Sequence, residues 1–188
     1  MQIVWGFLIG LVLGIIAAII FARIPFLERV STPLILLLQT APKIAIAPLL
    51  LLWLGLGAAP KIVLVAIVTF FPVMTAMLSG VKYINRSYID LAKVLKLNPW
   101  QRFWHIEFPA AIPTVFAGAT VATTLAMTAV VIGELMGANK GIGFLLATGQ
   151  EDADTATVIA MVILLSVIGW AFYAALDYMR ARMEARYS

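Results

Sequence analysis

Residues Asp90 to Pro113 read DLAKVLKLNPWQRFWHIEFPAAIP, and this stretch decides how the rest of the chain is interpreted. It is a charged, helix-forming segment between two long apolar ones. Extended back to Lys82, it holds five of the chain's 13 lysines and arginines, namely Lys82, Arg86, Lys93, Lys96 and Arg102. A basic helical loop between two apolar segments is expected to lie in the aqueous phase. There, a second protein is able to bind it.

The composition places the chain in a membrane. Of its 188 residues, 63% are hydrophobic and only 12% are charged, and the mean hydropathy is +1.05. A soluble domain of this size cannot bury so much apolar surface. The net charge of +4 is not concentrated in one run, so nucleic-acid binding is not expected. The chain has no cysteine and a single histidine, His105, which excludes thiol catalysis and multi-histidine metal sites.

Five apolar segments predict an all-α membrane protein with five spanning helices in a single domain, residues 1–188. Each is about as long as a helix that crosses the hydrocarbon core. Three of them contain helix-perturbing signals, which are tolerated where neighbouring helices satisfy the freed carbonyls. A bundle that encloses a pathway is therefore expected, rather than a simple anchor. The segments are Ile3–Ala22, Pro33–Leu56, Ile62–Val81, Ala110–Leu135 and Thr155–Tyr178.

The first segment carries Gly6, Gly10 and Gly14 at a spacing of four residues. Glycines at this spacing form a groove that allows a second helix to approach backbone to backbone. We expect this ridge to be a helix-packing face, although glycine is also common in membrane helices in general.

The positive charges predict the orientation of the chain. If the loop between the third and fourth segments is cytoplasmic, ten lysines and arginines lie on the cytoplasmic side. Lys61 and Lys140 are then the two on the opposite side, and Lys43 lies inside the second segment. Because cytoplasmic loops are enriched in Lys and Arg, the amino terminus is predicted outside and the carboxyl terminus inside. The ten residues are Arg23, Arg29, Lys82, Arg86, Lys93, Lys96, Arg102, Arg180, Arg182 and Arg186.

Within the loop, the sequence predicts two short helices. Ser87 is a candidate N-cap for the first, with Asp90 three residues later. Asn98-Pro99 predicts the start of the second, as a cap followed by a first-turn proline. Phe108-Pro109 is expected to turn the chain back into the membrane. From the pattern alone, an amphipathic hairpin lying at the bilayer surface is an equally good interpretation.

The loop resembles the cytoplasmic EAA loop of the permeases of binding-protein-dependent ABC importers. Asp90-Leu91-Ala92 stands at the acidic-Ala-Ala position, Lys96 at the glycine, and Phe108-Pro109 at the closing Leu-Pro. Other stretches resemble the nitrate, sulfonate and taurine branch of that family. They are Ala41–Leu50 with Trp53–Gly57, Phe70-Phe71-Pro72, and Gly133–Gly137 with Gly141–Gly143.

This resemblance implies the fold of a type I ABC importer transmembrane domain, with residues 82–109 as the coupling loop, hereafter the 82–109 loop. It also implies that separate cytoplasmic ATPase subunits bind ATP and Mg²⁺, since the chain has no phosphate-loop motif, no cofactor of its own and no catalytic residue. An extracytoplasmic binding protein would deliver the solute, and a second permease chain would complete a homodimer. The expected ATPase contacts are Asp90, Leu91, Ala92, Lys96, Trp100, Arg102, Phe103 and Trp104.

Two residues depart from the family pattern. Leu91 replaces the second alanine of the motif, and Lys96 replaces the glycine that lets the loop turn. Lysine lacks the free access of glycine to positive φ. An altered loop geometry is therefore expected.

Substrate contacts are predicted from the polar residues in or near the apolar spans. An ionisable group at membrane depth is a functional candidate by default. Lys43 is also able to extend to the membrane surface, Glu134 to contact a helix end, and the threonines to bond to carbonyls of their own helix. The candidate pathway residues are Gln39, Lys43, Thr124, Thr128 and Glu134, with Thr40, Thr69 and Thr123 as further polar groups.

Two other classes of protein remain as alternatives. An ATP-independent secondary transporter would need paired intramembrane carboxylates or inverted repeats, and neither is evident. A membrane scaffold subunit would account for the glycine ridge alone. The family resemblance offers nitrate, sulfonates, taurine, bicarbonate, pyrimidines or riboflavin as substrates. The Ala41–Leu50 stretch resembles the vitamin-precursor members slightly more than the others.

Overall fold

The computed structural model describes residues 2–136 and 140–187, without the side chains of residues 38, 43, 44 and 183–187. Over that part the chain is helical and contains no strand. The helices are α1 Gln2–Arg23, α2 Pro25–Thr40, α3 Lys43–Leu54, α4 Ala59–Lys82, α5 Arg86–Val94, α6 Pro99–Arg102, α7 Phe108–Leu135, α8 Ile142–Glu151 and α9 Thr155–Tyr187.

Four continuous helices in the described residues are long and apolar enough to cross a membrane. They cover Gln2–Arg23, Ala59–Lys82, Pro99–Leu135 and Thr155–Arg182. The prediction of five spanning helices is not confirmed, because the Pro33–Leu56 segment is divided into α2 and α3.

The division falls at Ala41-Pro42. Ala41 has a ψ of 135° and Pro42 a ψ of 104°. Proline disfavours the helical conformation of the residue before it and lacks the N–H that would continue the helix. Pro33 and Pro48 lie inside α2 and α3 and interrupt neither helix.

The glycine ridge of α1 packs on α4, as the spacing predicts. An added Cβ at Gly10 would lie 2.5 Å from the Ala66 carbonyl oxygen, and one at Gly6 would lie 2.7 Å from that of Ile62. Contacts this short are possible only for glycine, so α1 and α4 meet backbone to backbone.

Another part of α4 packs on α7 in the same way. An added Cβ at Gly118 would lie 2.4 Å from Ala76 Cβ, and one at Gly80 would lie within 3.0 Å of Ala111. Helix α4 therefore packs on both α1 and α7, and these three helices form the core. In contrast, none of the most apolar window of α9 is buried by the rest of the chain.

The second half of the 82–109 loop is continuous with α7. Helix α6 widens into a π turn, Phe103–Glu107, in which the Phe108 N–H donates to the Phe103 carbonyl, and α7 follows directly. A widened turn accommodates Pro109, whose ring would otherwise clash with the carbonyl four residues earlier. The expectation that Phe108-Pro109 turns the chain is therefore wrong, since these residues lie within one helix that extends from Pro99 to Leu135.

Candidate functional site

The first loop helix, α5, is capped by Asn85. The Asn85 side chain accepts a hydrogen bond from the Ser87 N–H at 3.0 Å, and its backbone is extended. The prediction of Ser87 as the cap is wrong, because Ser87 already lies inside the first turn. Asp90 is exposed on this helix, where its carboxylate lies 2.8 Å from Lys93 Nζ.

Lys96 ends α5 in the conformation that a glycine usually provides. Its φ is 49°. The Leu97 N–H donates to the Ala92 carbonyl and the Lys96 N–H to the Lys93 carbonyl, each at 3.0 Å. These two bonds define a Schellman motif, which satisfies the last carbonyls of the helix. The expectation that Lys96 alters the loop turn is therefore wrong: lysine adopts the left-handed conformation, at a cost in backbone strain.

The second loop helix, α6, begins as predicted at Asn98-Pro99. Asn98 Oδ1 accepts from the Gln101 N–H at 2.8 Å, and Gln101 Oε1 accepts from the Asn98 N–H at 3.0 Å. This reciprocal capping box satisfies two helix-end donors. The turn between α5 and α6 is thus fixed on both sides by local hydrogen bonds.

The aromatic residues of the loop divide into exposed and buried ones. Trp100 is 70% exposed and Trp104 is 46% exposed, with their ring centroids 5.7 Å apart. Phe103 is only 3% exposed and packs in a core cluster with Met74 and Met77. Phe103 therefore supports the loop from within the chain, and the two tryptophans form its accessible surface.

The remaining predicted contact residues divide in the same way. Asp90, Leu91 and Lys96 are exposed, whereas Ala92 is buried. Arg102 is half-buried and is paired within the chain to Glu107. The exposed residues of the loop, hereafter the loop surface, are Asp90, Leu91, Lys96, Trp100 and Trp104.

Glu107 is a residue that the sequence interpretation did not select. It is 5% exposed and accepts from two arginines, Arg23 Nη2 on Oε2 and Arg102 Nε on Oε1, each at 2.6 Å. The available signal was an acid, one of two in a basic loop, five residues after Arg102. Its second partner, Arg23, is 84 residues distant in sequence and follows only from the fold.

Two of the predicted pathway residues whose side chains the structure describes line different cavities. Gln39 lines a cavity of about 180 Å³ between α2, α4 and α7. Thr128 lines a different cavity of about 300 Å³ between α7 and α9. Thr124 and Thr128 lie, with Val121, on a face of α7 that the chain itself does not cover. The Lys43 side chain lies outside the described residues.

The threonines bond to their own helix carbonyls, as expected. Thr124 donates to the Val121 carbonyl at 2.8 Å and Thr128 to the Thr124 carbonyl at 3.1 Å. Thr123 donates to the Ala119 carbonyl at 2.9 Å. Thr69 differs from them, because its buried Oγ1 has no hydrogen-bond partner in the described part of the chain.

Glu134 makes a helix-end contact. Its carboxylate accepts from the Gly143 N–H at 2.7 Å, in the first turn of α8. A carboxylate is favourable there because the first N–H groups of a helix are otherwise unsatisfied. Added Cβ atoms at Gly141 and Gly143 would each lie 2.6 Å from Glu134 atoms, so the two glycines make room for this side chain.

The turn from α8 to α9 repeats the geometry of the Lys96 turn. Ala153 has a φ of 56°, and the Asp154 N–H donates to the Gly149 carbonyl. Asp154 then accepts from the N–H groups of Ala156 and Thr157. The Thr157 hydroxyl, followed by the Thr157 N–H, lowers the pKa of Asp154 below its ordinary value.

Comparison with known families identifies the class of the chain. Residues 10–187 match the family described as "Binding-protein-dependent transport system inner membrane component". The chain belongs to this family. It is an ABC transporter permease and a multi-pass protein of the inner membrane.

Curated relatives of this permease cover several substrates. A "Probable ABC transporter permease protein" of Haemophilus influenzae is 30% identical over 97% of the chain and 74% of its own length. The formylaminopyrimidine transport permease protein of Halalkalibacterium halodurans is 32% identical over 89% of the chain and 69% of its own length. A putative aliphatic sulfonates transport permease protein of Bacillus subtilis is 30% identical over 87% of the chain, which spans only 59% of that relative.

Solved structures agree on the fold. The inward-facing MetNI methionine ABC transporter matches with a TM-score of 0.78 at 18% identity, over 97% of this permease and 89% of that chain. An amino acid ABC transporter matches with a TM-score of 0.69 at 14% identity, over 98% of this permease and 88% of that chain. The type I importer fold predicted from the sequence is therefore confirmed.

Proposed function

We propose that this permease forms the translocation pathway of an ATP-driven importer, and that the 82–109 loop couples it to separate ATPase subunits. The loop surface carries the proposal. A 37-residue helix such as Pro99–Leu135 is about 55 Å long, well beyond a hydrocarbon core of about 30 Å. Its first turns, with the exposed Trp100 and Trp104, project from the bilayer, and exposed apolar groups in water mark a protein-binding surface.

The rigidity of the loop supports the same role. The Lys96 turn, the Asn98 capping box and the buried Phe103 fix the conformation of the loop before any partner binds. A surface that is already ordered loses little conformational entropy on association, and aromatic residues are frequent anchors of such surfaces. Trp100 and Trp104 are the proposed anchors, and Asp90 and Lys96 the charged contacts around them.

ATP and Mg²⁺ act on the partner subunits in this proposal. Closure of the ATPase subunits would move the loop, and the continuous helix from Pro99 would transmit that movement to α7. The loop and the carboxyl terminus then lie in the cytoplasm, where ten of the 13 lysines and arginines are found. The switch between inward-facing and outward-facing states is a two-state coupling between the ATP site and the pathway.

The pathway itself requires a second copy of the chain. The uncovered face of α7 with Thr124 and Thr128 is the proposed lining, and a homodimer would bring two such faces together. An extracytoplasmic binding protein would supply the solute at the end that carries α8. The relatives' names point to a small solute such as a sulfonate, taurine, nitrate, bicarbonate, a formylaminopyrimidine or riboflavin.

Co-purification from native membranes tests the coupling role. The tagged permease should retain a phosphate-loop ATPase, identified by mass spectrometry, and Trp100→Ala should reduce that recovery at least about tenfold, as expected for a hot-spot aromatic. Trp53→Ala is the matched control, because Trp53 is 75% exposed on α3, away from the loop. If Trp100→Ala retains the ATPase as well as Trp53→Ala does, the loop surface is not the docking site and a bilayer-surface hairpin is the better interpretation.

A further inference from the structure

The carboxylate of Glu107 joins the end of α1 to the helix that contains the π turn. Arg23 is the last residue of α1, Arg102 is the last residue of α6, and Glu107 ends the π turn. Each carboxylate oxygen accepts one guanidinium N–H at 2.6 Å. A nearly buried carboxylate is stable as a charge only when it is paired in this way.

Arg23 has a second attachment to the loop. Its guanidinium lies 5.3 Å from the ring centroid of Phe103, within the range of a cation–π contact. Arg23 therefore contacts both buried members of the π turn, Phe103 and Glu107. An arginine that only extended from the end of α1 into water would make neither contact.

The ion pair joins the end of α1 to the 82–109 loop, whose two ends continue into α4 at Lys82 and into α7 at Phe108. Helix α1 itself packs on α4 through the glycine ridge. Arg23 is attached to α1 and its partner Glu107 to the loop. Movement of the loop reaches the end of α1 directly through this pair, in addition to any force passed through α7.

We propose that Glu107 is a positioning residue that makes the cytoplasmic end of α1 move together with the 82–109 loop. This inference rests on the proposed function, in which ATPase closure moves the loop. The Arg23–Glu107 pair keeps the distance from α1 to the loop constant through that movement. The pair thereby recruits α1 into the same conformational step as α7.

Spin-label distances test this inference in the complete complex of the permease with its ATPase subunits. The chain has no cysteine, so labelled cysteines can be introduced cleanly. One pair, at Ile24 and Val94, measures the distance from α1 to the loop. A second pair, at Val94 and Ile163 on α9, measures loop movement, and all three positions are exposed. Both distances are measured in the complex without nucleotide, and again after the complex has been trapped with ATP and vanadate.

The expected result differs between the two label pairs. The Val94–Ile163 distance should change on trapping in every variant, and the Ile24–Val94 distance should stay constant in the unsubstituted chain. In Glu107→Gln the Ile24–Val94 distance should change by about 2–5 Å, the scale of helix shifts in such transitions. Arg23→Gln removes the same ion pair by changing its more exposed member. If Glu107→Gln fails to fold, the Ile24–Val94 distance in Arg23→Gln tests the inference instead.

Glu28→Gln is the matched control. Glu28 on α2 forms another interhelical ion pair, with Nζ of Lys82 at 2.5 Å, which joins α2 to the first residue of the loop but does not involve the π turn. This variant should keep the Ile24–Val94 distance constant. An Ile24–Val94 distance that stays constant in both Glu107→Gln and Arg23→Gln, or that changes in the unsubstituted chain, overturns the inference. A Val94–Ile163 distance that never changes would instead refute the loop movement of the proposed function.

Discussion

The contact between α1 and α4 and the 82–109 loop are held together by different physics. The helix contact depends on shape, because three glycines allow the backbone carbonyls of α4 to lie where a side chain would otherwise begin. The loop depends on directed polar bonds: a Schellman turn, a capping box and a doubly paired carboxylate. Lipid offers little hydrophobic force between helices, so close packing must stabilise the membrane region. The loop is expected to lie in water, where hydrogen bonds and ion pairs fix its conformation instead.

The largest effect is expected from filling the helix contact. Gly10→Ala should destabilise the permease by about 1–3 kcal/mol, because the new Cβ would lie 2.5 Å from a backbone oxygen. Gly169→Ala is the control, since its Cβ would only approach a flexible Met127 side chain at 3.9 Å. That change should be neutral or stabilising by up to about 1 kcal/mol, because alanine favours helix. Thermal unfolding in detergent measures both, and equal stabilities would show that shape does not hold this contact.

A smaller effect of opposite sign is expected in the loop. Lys96→Gly should stabilise the loop by about 0.5–1 kcal/mol, because glycine adopts a φ of 49° without strain but loses more entropy on folding. Lys93→Gly, three residues earlier inside α5, should destabilise by about 1 kcal/mol. Hydrogen exchange of the α5 amides reports both changes. A destabilising Lys96→Gly would mean that the lysine side chain, and not the backbone turn, is what matters at this position.

The smallest effect is expected at the second Schellman turn, where Asp154 caps α9. Its pKa is lowered in the folded chain, so its contribution is complete above the ordinary value and is lost as the pH falls through the folded value. Exchange of the Ala156 and Thr157 amides, corrected for its intrinsic pH dependence, should accelerate only in acid, below about pH 4. Asp154→Asn should abolish this dependence. A pH response that persists in Asp154→Asn would assign it to another group.

The sequence predicted the parts of the fold that depend on local pattern. The apolar runs located α1, α4, α7 and α9, and Asn98-Pro99 located the start of α6. The second segment was counted as one span broken by Pro42, Lys43 and Pro48, but only Pro42 interrupts a helix, and Lys43 and Pro48 lie within α3.

For the candidate contact residues, the sequence predicted exposure correctly only where exposure follows from the residue type alone. Trp100 and Phe103 were both predicted as ATPase contacts, but the π turn directs Phe103 into the core. The Glu107–Arg23 pair joins residues far apart in the chain, so no local pattern contains it. At Lys96 the hydrogen bonds of the turn and the burial of Ala92 outweigh the preference of lysine against positive φ.

Photo-crosslinking from the loop surface is the most direct test of the account. A photoreactive amino acid at Trp100 is compared with one at Trp170, which is 71% exposed on the uncovered face of α9. The account predicts a crosslink from position 100 to a phosphate-loop ATPase subunit, and none from position 170. Crosslinking from position 100 to lipid alone, in membranes that contain the assembled ATPase subunit, would contradict it.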